Sequence, residues 1–77
     1  MTKNNSSTIR FGLVIRQRRH EIAISQEELA ERAGLHRTYI SDIERGSRNP
    51  SLESIERLAR ALEIKISTLF ANYEVEE

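Results

Sequence analysis

An all-α fold of five helices around one core is predicted by three features of this 77-residue chain. Apolar residues recur at three- and four-residue spacing, and no segment shows the strict alternation of a half-buried strand. Helix starts are signalled by Ser25, with Glu28 three residues on as in a capping box, and by Ser51 after Pro50. Helix stops are signalled by Gly34 and Gly46, the residue type that adopts a left-handed conformation without penalty.

Taken in order, residues 1–7 are polar and serine-rich and are expected to form a disordered tail, followed by one domain over residues 8–73 and a short tail at 74–77. The first helix should start near Thr8 and present Phe11, Ile15 and Ile22 at spacings of four and seven. The second opens at Gln26 and runs through Leu29, Ala30 and Ala33 to Gly34. The third, Arg37 to Arg45, places Tyr39, Ile40 and Ile43 on one side and stops at Gly46. Pro50 disfavours helix at Asn49, and Ser51 caps a fourth helix, Leu52 to Leu62, that buries Ile55, Leu58, Ala59 and Leu62. A short fifth helix is expected from Thr68 to Asn72, capped by Ser67.

The third helix carries the chemistry. Opposite its apolar side lie Arg37, Thr38, Ser41, Asp42 and Arg45, a face with nothing to bury. It offers a forked donor, two hydroxyls and a carboxylate, groups that suit the edges of base pairs.

The run from Ser25 to Arg48, SQEELAERAGLHRTYISDIERGSR, resembles the helix-turn-helix of the xenobiotic-response-element family, which includes lambdoid phage repressors and Cro. Arg37 to Asn49, RTYISDIERGSRN, is similar more specifically to the controller proteins of bacterial restriction-modification systems. The likeness covers roughly residues 9–71 and implies a five-helix lambda-repressor-like domain acting as a sequence-specific, double-stranded DNA-binding transcriptional regulator. An antitoxin or phage-type repressor of the same fold, whose main partner is another protein, is the alternative implied.

On this resemblance the third helix enters the major groove N-terminus first, so that Arg37, Thr38 and Ser41 contact bases. Arg37 would fork onto guanine O6 and N7. Asp42 would accept from cytosine N4 or, as a carboxylate in this place does more often, repel the backbone or pair with Arg45. Gln26, Tyr39, Arg45, Ser47, Arg48 and Asn49 would contact the phosphate backbone, although Tyr39 is equally suited to packing alone. Arg19 and Glu44 would form a structural ion pair, which removes Arg19 from the DNA contacts.

Three departures from the family pattern carry expectations of their own. Arg18 lies within the apolar stripe of the first helix, so its stem should pack while its guanidinium reaches solvent. Ala23 stands where a glycine usually ends that helix, and a left-handed alanine costs about 1 kcal/mol relative to glycine. His36 stands where Ser, Thr or Asp usually caps the third helix, which weakens the cap.

A lone recognition helix reads few base pairs, so a homodimer on a palindromic operator is expected. Ile64, Ile66, Tyr73 and Val75 form the candidate dimer seam, while Leu69 and Phe70 close the monomer core. RNA polymerase would be a further partner if the protein activates transcription.

Composition bounds the rest. The formal net charge is zero, but residues 1–48 hold nine Lys or Arg against six Asp or Glu, while residues 49–77 hold three against six. The balance of +3 thus lies on the half with the motif. Two histidines away from ligand spacing, no cysteine and no glycine-rich phosphate loop point away from an enzyme, a metal site, a cofactor or a small-molecule ligand. No run approaches the ~18 apolar residues of a membrane span, and a cytoplasmic, nucleoid-associated protein is expected.

Overall fold

The structure, a computed structural model, describes residues 6–71 as five helices: α1 (Ser6–Glu21), α2 (Gln26–Ala33), α3 (Arg37–Arg45), α4 (Leu52–Ala61) and α5 (Ile66–Ala71). Every helix contributes to the core. Ile15, Leu29, Ile40, Ile43, Leu58 and Leu69 are almost completely shielded from solvent, each burial contributing about 1.5–3 kcal/mol. α1 packs chiefly on α3, α2 on both α3 and α4, and α5 on α4.

The starts and stops follow local chemistry. Ser25 Oγ accepts from Glu28 N at 3.0 Å and Ser51 Oγ from Ser54 N at 3.1 Å, capping α2 and α4. His36 makes no side-chain cap at α3, as its position suggested. Four helix ends close with a left-handed residue and a six-to-one backbone bond: Ala23 (φ 59°), Gly34 (70°), Gly46 (79°) and Glu63 (57°), through Ile24 to Arg19, Leu35 to Ala30, Ser47 to Asp42 and Ile64 to Ala59. After three of these turns the next side chain is apolar and packs on the core; after Gly46 it is the exposed Ser47.

Several expectations are corrected. α1 begins at Ser6, not Thr8, because Thr8 Oγ1 donates to Gly46 O at 2.9 Å and anchors the first turn to the end of α3. Ser6 and Ser7 therefore belong to the helix, and residues 1–5 lie outside the described residues. α1 stops at Glu21, which leaves Ile22 in the following turn, partly buried, while Val14 joins Phe11 and Ile15 in the core. α4 stops at Ala61, with Leu62 as its buried cap residue, and Ile55 is only partly buried. α5 starts at Ile66, two residues before Thr68, its first turn closing from Leu69 N onto Lys65 O at 2.8 Å. Asn72, Tyr73, Val75 and the 74–77 tail lie outside the described residues.

The Arg18 stem packs and its guanidinium stays partly exposed, as expected. Instead of extending freely, the guanidinium lies over the end of α4, with Nη1 paired to Glu21 Oε1 at 3.4 Å. Its Nε donates to Leu62 O at 3.0 Å and its Nη2 to Glu63 O at 3.1 Å, while Arg32 Nη1 donates to Ala61 O at 3.3 Å. Two arginines from different helices thus satisfy the carbonyls left unpaired at the end of α4.

The position of α3 is set by an ion pair and a glycine. Arg19 donates through Nε to Glu44 Oε2 at 2.7 Å and through Nη2 to Glu44 Oε1 at 3.0 Å, and its Nη1 donates to Ile24 O at 3.0 Å. Gln26 Nε2 donates to Glu44 Oε1 at 3.0 Å, so one carboxylate on α3 holds both α1 and α2. The Arg19 and Glu44 side chains are only 11% and 5% exposed. At Gly12 a Cβ would stand 2.2 Å from Ile43 O and 2.8 Å from Glu44 O, so only glycine permits the backbones of α1 and α3 to meet there.

Burial pushes the Glu44 carboxyl up, but the hydrogen bonds from Arg19 and Gln26, with the nearby charges of Arg19 and Arg16, outweigh it and hold the group below its ordinary value of 4.5. The folded value lies below the unfolded one, so the stabilisation is complete above the ordinary carboxylate range and is lost as pH falls through the folded value. Glu44→Gln leaves Arg19 without its counter-charge and is expected to cost about 3–5 kcal/mol at neutral pH. It should also flatten the decline in stability below about pH 5, as read by denaturant titrations across a pH series. Ala23→Gly relieves a left-handed alanine and is expected to add about 1 kcal/mol, visible in a thermal melt as a rise of roughly 4–8 °C.

Candidate nucleic-acid interface

α2, the turn at Gly34 and α3 form a helix-turn-helix, with the apolar side of α3 facing inward through Ile40 and Ile43. The opposite side is uncovered. Arg37 and Thr38, at the first turn, are exposed, and the Arg37 guanidinium makes no ion pair among the described residues. Ser41 is half-buried one turn on and accepts from Arg45 Nη1 at 2.7 Å.

Asp42 is the centre of a charge cluster. Its Oδ1 pairs with Arg45 Nη2 and its Oδ2 with Arg48 Nη2 at 3.3 Å. The sequence suggested the Arg45 pairing as one of three options, and the two residues lie three apart on one helix face. Arg48 lies six residues on, beyond the Gly46 turn, and its approach to Asp42 had no sequence signal. The turn itself is held by the Ser47 amide and hydroxyl, which donate to Asp42 O at 3.0 and 3.2 Å.

Tyr39 links this cluster to α4. Its ring lies beneath the Arg48 guanidinium, 4.8 Å from Cζ to the ring centroid, and its hydroxyl donates to Ser54 Oγ at 3.1 Å. Ser51 Oγ donates to the same Ser54 oxygen at 3.1 Å. Ser54 is buried and is the residue that sequence reasoning missed at this site, although its place in the first turn after the Ser51 cap was legible.

The remaining candidate contacts are spread around this face. Gln26 opens α2 half-buried with its amide on Glu44, so it braces the recognition helix and keeps one amide hydrogen for another acceptor. Ser47, Arg48 and Asn49 are exposed in the loop after α3. Among the candidate seam residues, Ile64 is half-buried against the core and Ile66 is 36% exposed. Phe70, expected inside the monomer core, stacks on Phe11 with centroids 5.9 Å apart yet remains 38% exposed, whereas Leu69 is fully buried. Among the described residues no group of three His, Asp or Glu side chains is placed to hold a metal ion, and no helix is long and apolar enough to cross a membrane.

Comparison with known proteins agrees with this geometry. A family model described as helix-turn-helix matches residues 15–69. Control protein C.BamHI of Bacillus amyloliquefaciens is 50% identical over 62 residues, which make up 79% of this chain and 76% of that protein. The restriction-modification controller protein C.AhdI from Aeromonas hydrophila superposes with a TM-score of 0.83 at 42% identity, covering 86% of this chain and 100% of that one. The controller protein C.Esp1396I, solved as a tetramer in complex with its natural 35 base-pair operator, superposes with a TM-score of 0.83 at 37% identity over 87% of this chain and 88% of that one. The chain therefore belongs to the helix-turn-helix family, in the group that holds the restriction-modification controller proteins.

Proposed function

We propose that this protein is a homodimeric transcriptional regulator of the restriction-modification controller type, binding a palindromic double-stranded operator through α3. The observation that carries the proposal is the exposed first turn of α3, where Arg37 and Thr38 stand clear of the fold on a helix whose other side is anchored in the core. The similar controller protein solved on its operator as a tetramer supports the same use of this domain.

Arg37 reads guanine in each half-site, and Thr38 and Ser41 contact neighbouring bases. Arg45 and Arg48 meet phosphates from either side of Asp42, and Ser47, Asn49 and the second Gln26 amide hydrogen add backbone contacts. Tyr39 acts beneath Arg48, holding that guanidinium toward the backbone rather than presenting its own hydroxyl. The α2 N-terminus adds amides favoured by the helix dipole. The subunits join along the C-terminal third, where the exposed Ile66 and half-buried Ile64 lie, with Tyr73 and Val75 completing the seam. The protein works on DNA in the cytoplasm, at the nucleoid, and RNA polymerase is a partner where the bound dimer activates.

Arg37→Ala is expected to relax preference at one base position by about 1–3 kcal/mol, and Arg48→Ala to weaken all duplexes alike and reduce the salt slope by about 1. Site selection from random duplex DNA followed by binding titrations separates these effects, and equal losses from both changes on selected and random DNA would refute the division. Ile66→Asp should shift the subunit equilibrium toward monomer in sedimentation velocity. A wild-type protein that sediments as a monomer at every concentration contradicts the dimer.

A further inference from the structure

Asp42 stands in the middle of a surface otherwise built of donors. Its carboxylate is 20% exposed and takes the guanidinium of Arg45 on one oxygen and that of Arg48 on the other. These arginines come from opposite sides of the Gly46 turn, one ending α3 and the other in the loop. Arg45 is also bonded to Ser41, so a residue of the candidate base-reading face is drawn into the same cluster. The carboxylate does chemically what a phosphate would do: it is an anion bridging two guanidinium groups.

Resting on the DNA-binding reading above, we propose that Asp42 is a specificity-determining residue, an internal phosphate substitute that Arg45 and Arg48 must exchange for the DNA backbone. The exchange replaces one anion by another, so each guanidinium gains less from a phosphate than it would if Asp42 did not hold it. A carboxylate brought against the backbone adds repulsion that must be offset elsewhere. On the operator, base contacts from Arg37 and Thr38 hold α3 deep enough in the groove for the exchange to go to completion; on random DNA it stays partial, and the carboxylate keeps its hold on both arginines. Asp42 therefore suppresses binding to random DNA more than binding to the operator. Tyr39 keeps Arg48 at the surface during the exchange, since its ring supports the guanidinium independently of the carboxylate.

The test compares full-length wild-type protein with Asp42→Asn, near-isosteric and partly exposed, on a selected operator and on a random duplex over a range of salt concentrations. Thermal melting confirms that the variant folds. Asp42→Asn is expected to tighten random-duplex binding, lower the operator-to-random ratio about tenfold and steepen the salt slope on random DNA by about 1. The same substitution made together with Arg45→Ala and Arg48→Ala should produce no such gain, because Asp42 acts through those side chains. A selective loss of operator binding, with repeated selection showing relaxed preference at one cytosine, would overturn the proposal in favour of direct base contact. Equal change on both duplexes, or none, would also overturn it. A wild-type protein that selects no sequence from a random pool removes the DNA-binding reading itself, a result seen before any substitution is made.

Discussion

The carboxylate of Glu44 is the anchor on which the site depends. α3 is nine residues long, too short to persist in water alone, and it fully buries only Ile40 and Ile43. Two aliphatic side chains hold a helix against a core but do not fix its rotation, and rotation decides which residues face outward. The bidentate bond from Arg19 and the amide of Gln26 fix it, because both have directional geometry and both end on one residue of α3. An apolar replacement for the pair could equal its stability. It would lose the directionality that keeps Arg37 and Thr38 facing away from the fold.

The arginines of this chain divide by task, and the division changes what its charge means. The balance of +3 over residues 1–48 is diluted as a sign of nucleic-acid binding, because Arg18, Arg19 and Arg32 in that half serve the fold at helix termini and in the ion pair. What distinguishes the outer side of α3 is local arrangement: Arg45 and Arg48 on a single carboxylate, with a tyrosine ring beneath Arg48, and Arg37 exposed one turn and more away at the start of the helix. A chain with zero net charge can therefore present a basic face, since partners elsewhere absorb the compensating charge.

Much of this was legible because the signals were local. The bounds of α2 and α3 follow from Ser25, Gly34 and Gly46, each acting within one turn of chain. The Arg19 and Glu44 pair was read only through the family resemblance, as no spacing rule connects residues on different helices. What escaped the sequence was set by tertiary contact. Thr8 extends α1 by bonding Gly46, Arg18 folds over the end of α4, and Glu63 adopts a left-handed conformation in the absence of a glycine signal. Ser54 escaped for a related reason: a serine in the first turn of a helix reads as a surface residue until the Tyr39 hydroxyl is seen to reach it.

Gly12 has a mechanical consequence. With the backbones of α1 and α3 in direct opposition, no side chain lies between them to compress or change rotamer, so the reading helix cannot tilt without carrying the longest helix of the domain along. The reading head and its mount are one stiff body. When such a body meets a groove whose width or direction does not match its own, the adjustment falls on the nucleic acid. The bendability of base steps that no side chain touches then enters the choice of site.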